Sequence, residues 1–177
     1  MHTPGKPPRP ELRKATKVTL AGASVIAALA LTSCAAPVQV DAAPDAANAK
    51  CAPTMIALPE KINEEQLRET TSQATAAWGD PSSIIVRCGV TPPPPTTDPC
   101  ASVNGVDWLI KQIEGTNNWR ATTYGREPAL EVVFNLDKVS SSTVLVDLAQ
   151  PVAQLPQVAK CLNVQDTTDL QQGTKSK

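Results

Sequence analysis

The sequence predicts an α+β fold, in which an antiparallel sheet of four to six strands packs against one or two helices and is held by disulfide bonds. Short runs rich in β-branched and aromatic residues alternate with Gly, Pro and Asn. Two other stretches place apolar residues at helical spacing. Four cysteines follow residue 50. An even number of cysteines suits two disulfides in an exported chain.

The first predicted element is a helix that begins at residue 64. Asn63 can cap it, and two acids then lie at the positive end of the helix dipole. The sequence at 79–81, Gly-Asp-Pro, predicts its end. The apolar stripe of this helix comprises Leu67, Thr71, Ala74 and Trp78.

Five strands follow from local signals. Asn104-Gly105 supplies the two positive-φ residues of a type I′ turn, so the flanking segments CASV and VDWLI predict a hairpin. Runs of β-branched and aromatic residues predict three more strands, and Gly- and Asn-containing turns separate them. These strands are expected at 83–87, 119–124 and 130–134, with turns at 115–118 and 125–128.

The last element, at residues 142–155, is open to two interpretations. Its apolar residues form one helical stripe that Pro151 interrupts, but Val144, Val146 and Leu148 could alternate as in a strand. A short helix is the favoured interpretation. No internal repeat is visible.

The amino terminus has the pattern of a lipoprotein signal peptide at residues 1–33. Five bases precede an uncharged run at 18–31. The last residue of this run begins the sequence Leu-Thr-Ser, which comes directly before Cys34. These four residues match the recognition sequence of the peptidase that cleaves before a diacylglycerol-modified cysteine. An uncleaved membrane span is less favoured, because a spanning helix needs about 20 apolar residues. We therefore expect Cys34 to be lipidated and the domain to lie on the extracytoplasmic face of the cell membrane.

The net charge of the exported part limits the partners that it is expected to bind. The chain has 16 Lys and Arg against 17 Asp and Glu; removal of residues 1–33, with five bases and one acid, leaves 11 against 16. A net charge of −5 disfavours nucleic acid as a partner and also direct adhesion to anionic lipid. The expected membrane contact is the N-terminal lipid alone.

Composition divides the rest of the chain. Residues 34–50 are rich in Ala, Pro and Asp without periodicity and predict a flexible stalk that holds the domain on the order of 20 Å from the lipid. Residues 51–164 form a single domain, and 165–177 a disordered polar tail.

The cysteines after Cys34 can pair in three ways. The favoured pairing joins Cys51 to Cys161, at the ends of the domain, and Cys88 to Cys100, around a proline-rich loop. A metal site is not expected, because the spacings do not suit zinc.

Several catalytic classes are excluded for the exported part. The only histidine, His2, lies in the predicted signal peptide, so triads, Cys-His dyads and His-ligated zinc are absent. Neither a dinucleotide-binding nor a P-loop glycine motif is found, and no cofactor is expected. Paired carboxylates remain the one enzymatic alternative, a hydrolase of cell-wall glycan, for which Asp80, Asp107, Glu114, Glu127, Glu131 and Asp147 are available.

Six phrases occur in an order that resembles a known family: AAWGDP, VRCGV, VNGVDW, TTYGREPALEV, VLVDL and the proline-rich loop that ends at Cys100. They are similar to actinobacterial secreted lipoproteins that carry a domain of unknown function. The resemblance covers most of 51–161, and Cys88, Cys100 and Cys161 fit its cysteine pattern. It implies an exported, unitary domain and no particular activity.

One ligand site is a weaker prediction. Trp108, Tyr124 and Arg126 could surround a shallow cleft, where the rings stack on a sugar or peptide and the guanidinium binds a carboxylate. The simpler interpretation is that the tryptophans pack in the core and that Asp107 pairs with Arg126.

The expected function is a non-enzymatic binding module that recognises an envelope protein or a cell-wall component. A structural spacer is a further alternative, which a surface without pockets would favour.

Overall fold

The computed structural model describes residues 36–162, and they contain two α-helices and eight β-strands. The predicted signal peptide, Cys34 and the predicted tail beyond residue 164 lie outside the described residues. Within the described part, no helix has both the length and the apolar composition needed to cross a membrane.

The eight strands form one sheet in the order β1-β2-β3-β4-β8-β7-β6-β5, and every neighbouring pair is antiparallel. The strands are β1 Lys61–Ile62, β2 Glu65–Arg68, β3 Thr75–Trp78, β4 Ile84–Val90, β5 Cys100–Val103, β6 Val106–Gln112, β7 Asn118–Thr123 and β8 Ala129–Asn135. The helices are α1 Cys51–Ile56 and α2 Ser141–Val152. The antiparallel α+β class is therefore confirmed, but the sheet has eight strands where four to six were predicted.

The extra strands come from the segment predicted as the first helix, and that prediction is wrong. Asn63 has a φ of 55° and lies in the turn between β1 and β2, where it does not cap a helix. Between β2 and β3, the hydroxyl of Thr70 donates to the Thr75 carbonyl at 3.1 Å, and that of Thr75 to the Ser72 carbonyl at 2.6 Å. Such side-chain to backbone bonds compete with helix formation and favour a turn.

The strands predicted from local signals are confirmed. The hairpin of β5 and β6 turns at Asn104 and Gly105, whose φ angles are 48° and 80°, as a type I′ turn requires. The three other predicted strands correspond to β4, β7 and β8.

The ambiguous last element is the helix α2. Pro151 lies in its last turn, one residue before the helix ends at Val152. Val144, Leu145 and Leu148 are buried while Val146 is 48% exposed, which matches helical rather than strand periodicity.

The core lies between α2 and one face of the sheet, which we call the inner face. Its largest members are Trp78, Trp108 and Phe134, all at most 1% exposed. They alternate along their strands with residues of the opposite face, as the period of a β-strand requires. Apolar side chains of α2 join the same cluster, namely Val144, Leu145, Leu148, Ala149 and Val152.

Residues 38–50, predicted as part of a flexible stalk, instead pack on the sheet. The backbone N–H of Val38 donates to the Glu69 carbonyl at 2.9 Å, and that of Asp45 to the Gly89 carbonyl at 2.9 Å. Ala43 and Ala46 are buried against Val90 and Ala129. Gly89 has a φ of 92°, and a side chain there would collide with the backbone of Asp45. This close contact joins the segment to the domain.

Within residues 36–162 two disulfides are present, as predicted, but the favoured pairing is wrong. Cys51 pairs with Cys88, and Cys100 pairs with Cys161. The first bond joins α1 to β4 inside the core, where both cysteines are at most 2% exposed. The second joins the edge strand β5 to the chain after α2 and is half-buried. Sheet order explains the difference, because it places β4 and β5 far apart although they are consecutive along the chain.

Candidate binding groove on the outer face of the sheet

The face of the sheet that points away from α2, which we call the outer face, carries most of the strand charges. Strand register places Lys111 on β6 directly opposite Arg120 on β7. Glu131 on β8 lies opposite Arg87 on β4. These four side chains come from four adjacent strands and form one charged row, although the chain between Arg87 and Glu131 is 44 residues long.

Glu131 lies at the centre of this row and is its only buried member. Its side chain is 9% exposed, and its carboxylate accepts hydrogen bonds from Arg87, the shorter at 2.7 Å, and forms an ion pair with Arg120 at 2.9 Å. Arg87 donates through Nε and Nη2, whereas Arg120 makes its contact through Nε. One carboxylate thus fixes two guanidinium groups, and the cluster keeps one excess positive charge.

The proline-rich loop that connects β4 to β5 along the chain, residues 91–99, lies over this part of the sheet. The Lys111 ammonium pairs with Asp98 at 2.6 Å and connects β6 to the loop. The hydrogen bond from Lys111, together with its charge, lowers the pKa of the Asp98 carboxyl below its ordinary value. Four consecutive prolines, Pro92 to Pro95, limit the conformations open to the loop.

The loop and the sheet enclose a groove of about 540 Å³, which we call the outer-face groove. This volume is in the range of small-molecule sites. Its lining combines apolar and charged side chains: Pro93, Pro94, Leu109, Ile113, Asp98, Lys111, Glu114, Arg120 and Thr122 are among them.

A second cavity, of about 430 Å³, lies on the other side of the same loop. It shares Thr96, Asp98 and Leu109 with the outer-face groove. The disulfide between Cys100 and Cys161 lines this cavity. The loop therefore separates two neighbouring depressions, one next to Arg120 and one next to the disulfide.

The structure does not bring Trp108, Tyr124 and Arg126 together around a cleft. Trp108 is fully buried and belongs to the inner-face core. Tyr124 is half-buried and lines the second cavity. The predicted cleft is not formed because these side chains face different parts of the molecule.

Arg126 has a structural role, because it binds backbone carbonyl groups near the end of α2. It is 6% exposed and donates hydrogen bonds to the carbonyl oxygens of Ala153 and Leu155, just after α2, and of Gly105. A cation at the end of a helix compensates the carbonyl groups left without helical partners. Burial lowers the pKa of Arg126, and the charge of Asp107 opposes that shift.

Asp107 holds the segment after α2 in place. Its carboxylate is 7% exposed and accepts the backbone N–H of Cys161 at 2.7 Å. The possible ligand atoms of Cys100, Asp107 and Cys161 all lie within 4.8 Å of one another. Because both sulfurs are joined in a disulfide, they offer no thiolate to a metal ion.

Three of the six acids proposed for a hydrolase are engaged in contacts within the fold. Glu131 is bound by two arginines, and Asp107 by the backbone of Cys161. Asp80 is 80% exposed and pairs with Arg68 at 3.0 Å. Each of these carboxylates has a structural role in the described part of the chain.

Lys111, Arg120 and Asp98 are the charged groove residues that the sequence did not single out. Arg120 lies between less exposed neighbours along β7, so its position on the solvent face could have been inferred from the strand pattern, whereas the burial pattern of β6 shows no such alternation around Lys111. Their proximity to each other requires the register between the strands.

Comparison with known proteins identifies a family. The family model that matches is described as a protein of unknown function (DUF3515), and the match covers residues 15–160. Searches of curated proteins and of solved structures gave no match.

Proposed function

The chain belongs to the DUF3515 family, whose description assigns no activity, and we propose that it is an exported, lipid-anchored binding module of the cell envelope. In this proposal Cys34 carries the lipid, the outer-face groove binds an envelope protein or a cell-wall component, and no reaction is catalysed. The groove is the observation that carries the proposal.

Export and anchoring are supported by the sequence and are compatible with the disulfides. The segment 18–31, whose last residue begins the sequence Leu-Thr-Ser-Cys, is typical of lipoprotein signals. Disulfides persist in oxidising compartments, and the described cysteines form two of them.

A binding role is supported by the construction of the groove. Its charged residues are fixed in place, Arg120 by Glu131 and Lys111 by Asp98, so little side-chain freedom remains to be lost when a ligand binds. Apolar residues of the loop and of β6 add surface that a ligand can bury.

Site-specific photocrosslinking in intact cells tests the binding role. A photoreactive benzoylphenylalanine replaces Thr96, an exposed loop residue that lines the groove, in the full-length chain. The matched control carries it at Val146, which is 48% exposed on α2, away from the outer face. We expect a defined adduct from position 96 and none from position 146. The absence of any adduct from position 96, or the same adducts from both positions, would contradict the proposal.

Lipid anchoring has an independent test. Cys34→Ala removes the thiol to which the diacylglycerol would be attached, so labelled fatty acid should no longer be incorporated. Cell fractionation should then find unprocessed precursor or protein released to the medium. Incorporation of label into the variant would refute acylation at Cys34.

A further inference from the structure

Arg120 has hydrogen-bonding capacity that the fold does not use. Its Nε lies 2.9 Å from a carboxylate oxygen of Glu131 in an ion pair, and within residues 36–162 no group accepts a hydrogen bond from its two Nη amino groups. Its side chain is 49% exposed and lines the outer-face groove. The buried Glu131 therefore holds the guanidinium at one edge and leaves the other edge open towards the groove.

An arginine presented in this way matches one ligand chemistry. Two parallel N–H donors on a planar group pair with the two oxygens of a carboxylate, and such charge-assisted bonds are about twice as strong as neutral ones. The excess positive charge of the cluster formed by Arg87, Glu131 and Arg120 favours an anion at the same place.

The rest of the groove selects among anions. Asp98 and Glu114 line it together with Arg120, so a dianionic phosphate would be repelled more strongly than a single carboxylate. Glu114 is exposed and has no ion-pair partner among the described residues, which suits a ligand that also carries N–H donors. Pro93, Pro94 and Leu109 add apolar surface for small side chains.

We infer that the outer-face groove binds a peptide bearing a free carboxylate, with Arg120 as the carboxylate-binding residue and Glu131 as its positioning residue. This inference rests on the proposed function and adds the class of ligand to it.

Isothermal titration calorimetry of the lipidated protein in detergent tests the inference. The probes are acetyl-Ala-Ala with a free carboxylate, the same dipeptide as its carboxamide, and inorganic phosphate. We expect the free acid to bind about tenfold more tightly than the amide, because one charge-assisted pair is lost with the amide. Phosphate should compete only weakly with the free acid.

Three variants separate binding from folding. Arg120→Gln should weaken binding of the free acid about tenfold, and Arg120→Lys should fall between Gln and wild type, since a lysine keeps the charge without the two-pronged geometry. Lys61→Gln, which removes a cation at the β1 edge, should bind as the wild type does. Circular dichroism of each variant verifies that the fold is retained.

Several results would overturn the inference: equal affinity for the acid and the amide, wild-type affinity in Arg120→Gln, or phosphate binding at least as tight as the free acid. These failures are distinguishable from failure of the proposed function. If position 96 still gives its adduct in cells while the free acid does not bind, the groove remains a binding site and only its ligand class is wrong.

Discussion

The two faces of the sheet are built from the same strands but differ in almost every other respect. The inner face carries Trp78, Trp108 and Phe134, covered by α2 and at most 1% exposed. The outer face carries a charged row and lies under a proline-rich loop that leaves a groove open. The comparison indicates that stability is concentrated on one face, which leaves the other free to bind. Four predictions test this division, from the largest expected effect to the smallest.

The largest effect is expected from truncation of the inner-face core. Trp108→Ala removes a fully buried side chain and should lower the free energy of unfolding by about 3–5 kcal/mol. Thr122→Ala, on the outer face of the neighbouring strand, should change it by less than about 0.5 kcal/mol. Urea denaturation measures both. Comparable losses from the two variants would remove the distinction between the faces.

The two disulfides should stabilise the fold to a similar extent but differ in their accessibility to a reductant. Sequence separations of 37 and 61 residues give about 4 kcal/mol each in the loop-closure model. However, the bond between Cys51 and Cys88 lies in the core, and the bond between Cys100 and Cys161 lines a cavity. A mild dithiol reductant should therefore open the second bond first. Mass spectrometry after alkylation identifies the freed thiols, and early alkylation of Cys51 or Cys88 would contradict this order.

An intermediate effect is expected at the centre of the charged row. Glu131→Gln leaves Arg87 and Arg120 without their shared carboxylate and should cost about 2 kcal/mol of unfolding free energy. This value lies below that of a fully buried pair because both arginines are partly exposed and screened by solvent. Arg120→Gln should cost less than Glu131→Gln, since the contact of Arg87 with Glu131 remains. Thermal denaturation compares the two variants.

The smallest effect concerns the contact between the loop and β6. Because Lys111 lowers the pKa of Asp98, the charged carboxylate is favoured in the folded state. Its contribution to stability is present above the unfolded pKa and is lost as the pH falls through the folded value. Lys111→Gln should raise the pKa of Asp98 towards its ordinary value. Carbon-detected NMR titration of the side-chain carboxyl measures the shift, and an unchanged value would exclude Lys111 as its cause.

The elements that the sequence predicted well have local signals. The Asn-Gly turn and the β-branched runs of β4, β7 and β8 specify their conformation within a few residues. Helix α2 was recognisable because its apolar residues keep a spacing of 3.6 despite Pro151.

One element that it missed depends on a partner far along the chain. Residues 38–50 pack through alanines onto Gly89, and such small residues give no periodic signal. The segment around Trp78 has helical spacing, yet the turn formed by Thr70 and Thr75 directs it into two strands.

The site was hidden for the same reason. Glu131 joins Arg87 to Arg120 only because β8 inserts between β4 and β7 in the sheet. The disulfide pairing follows the same topology, which brings Cys88 to α1 and Cys161 to β5. Residue types identified the candidate cysteines, whereas their partners required the strand order.

The packing of residues 38–50 also limits how an acylated form could be oriented. Under the proposed modification of Cys34, four residue steps separate the lipid from Val38, which is hydrogen-bonded to the sheet. A fully extended chain spans at most about 3.6 Å per residue, so this connecting segment is no longer than about 14 Å. The protein would then stay close to the bilayer, with the Val38 end nearest to it. Any partner would have to approach from the side or from above.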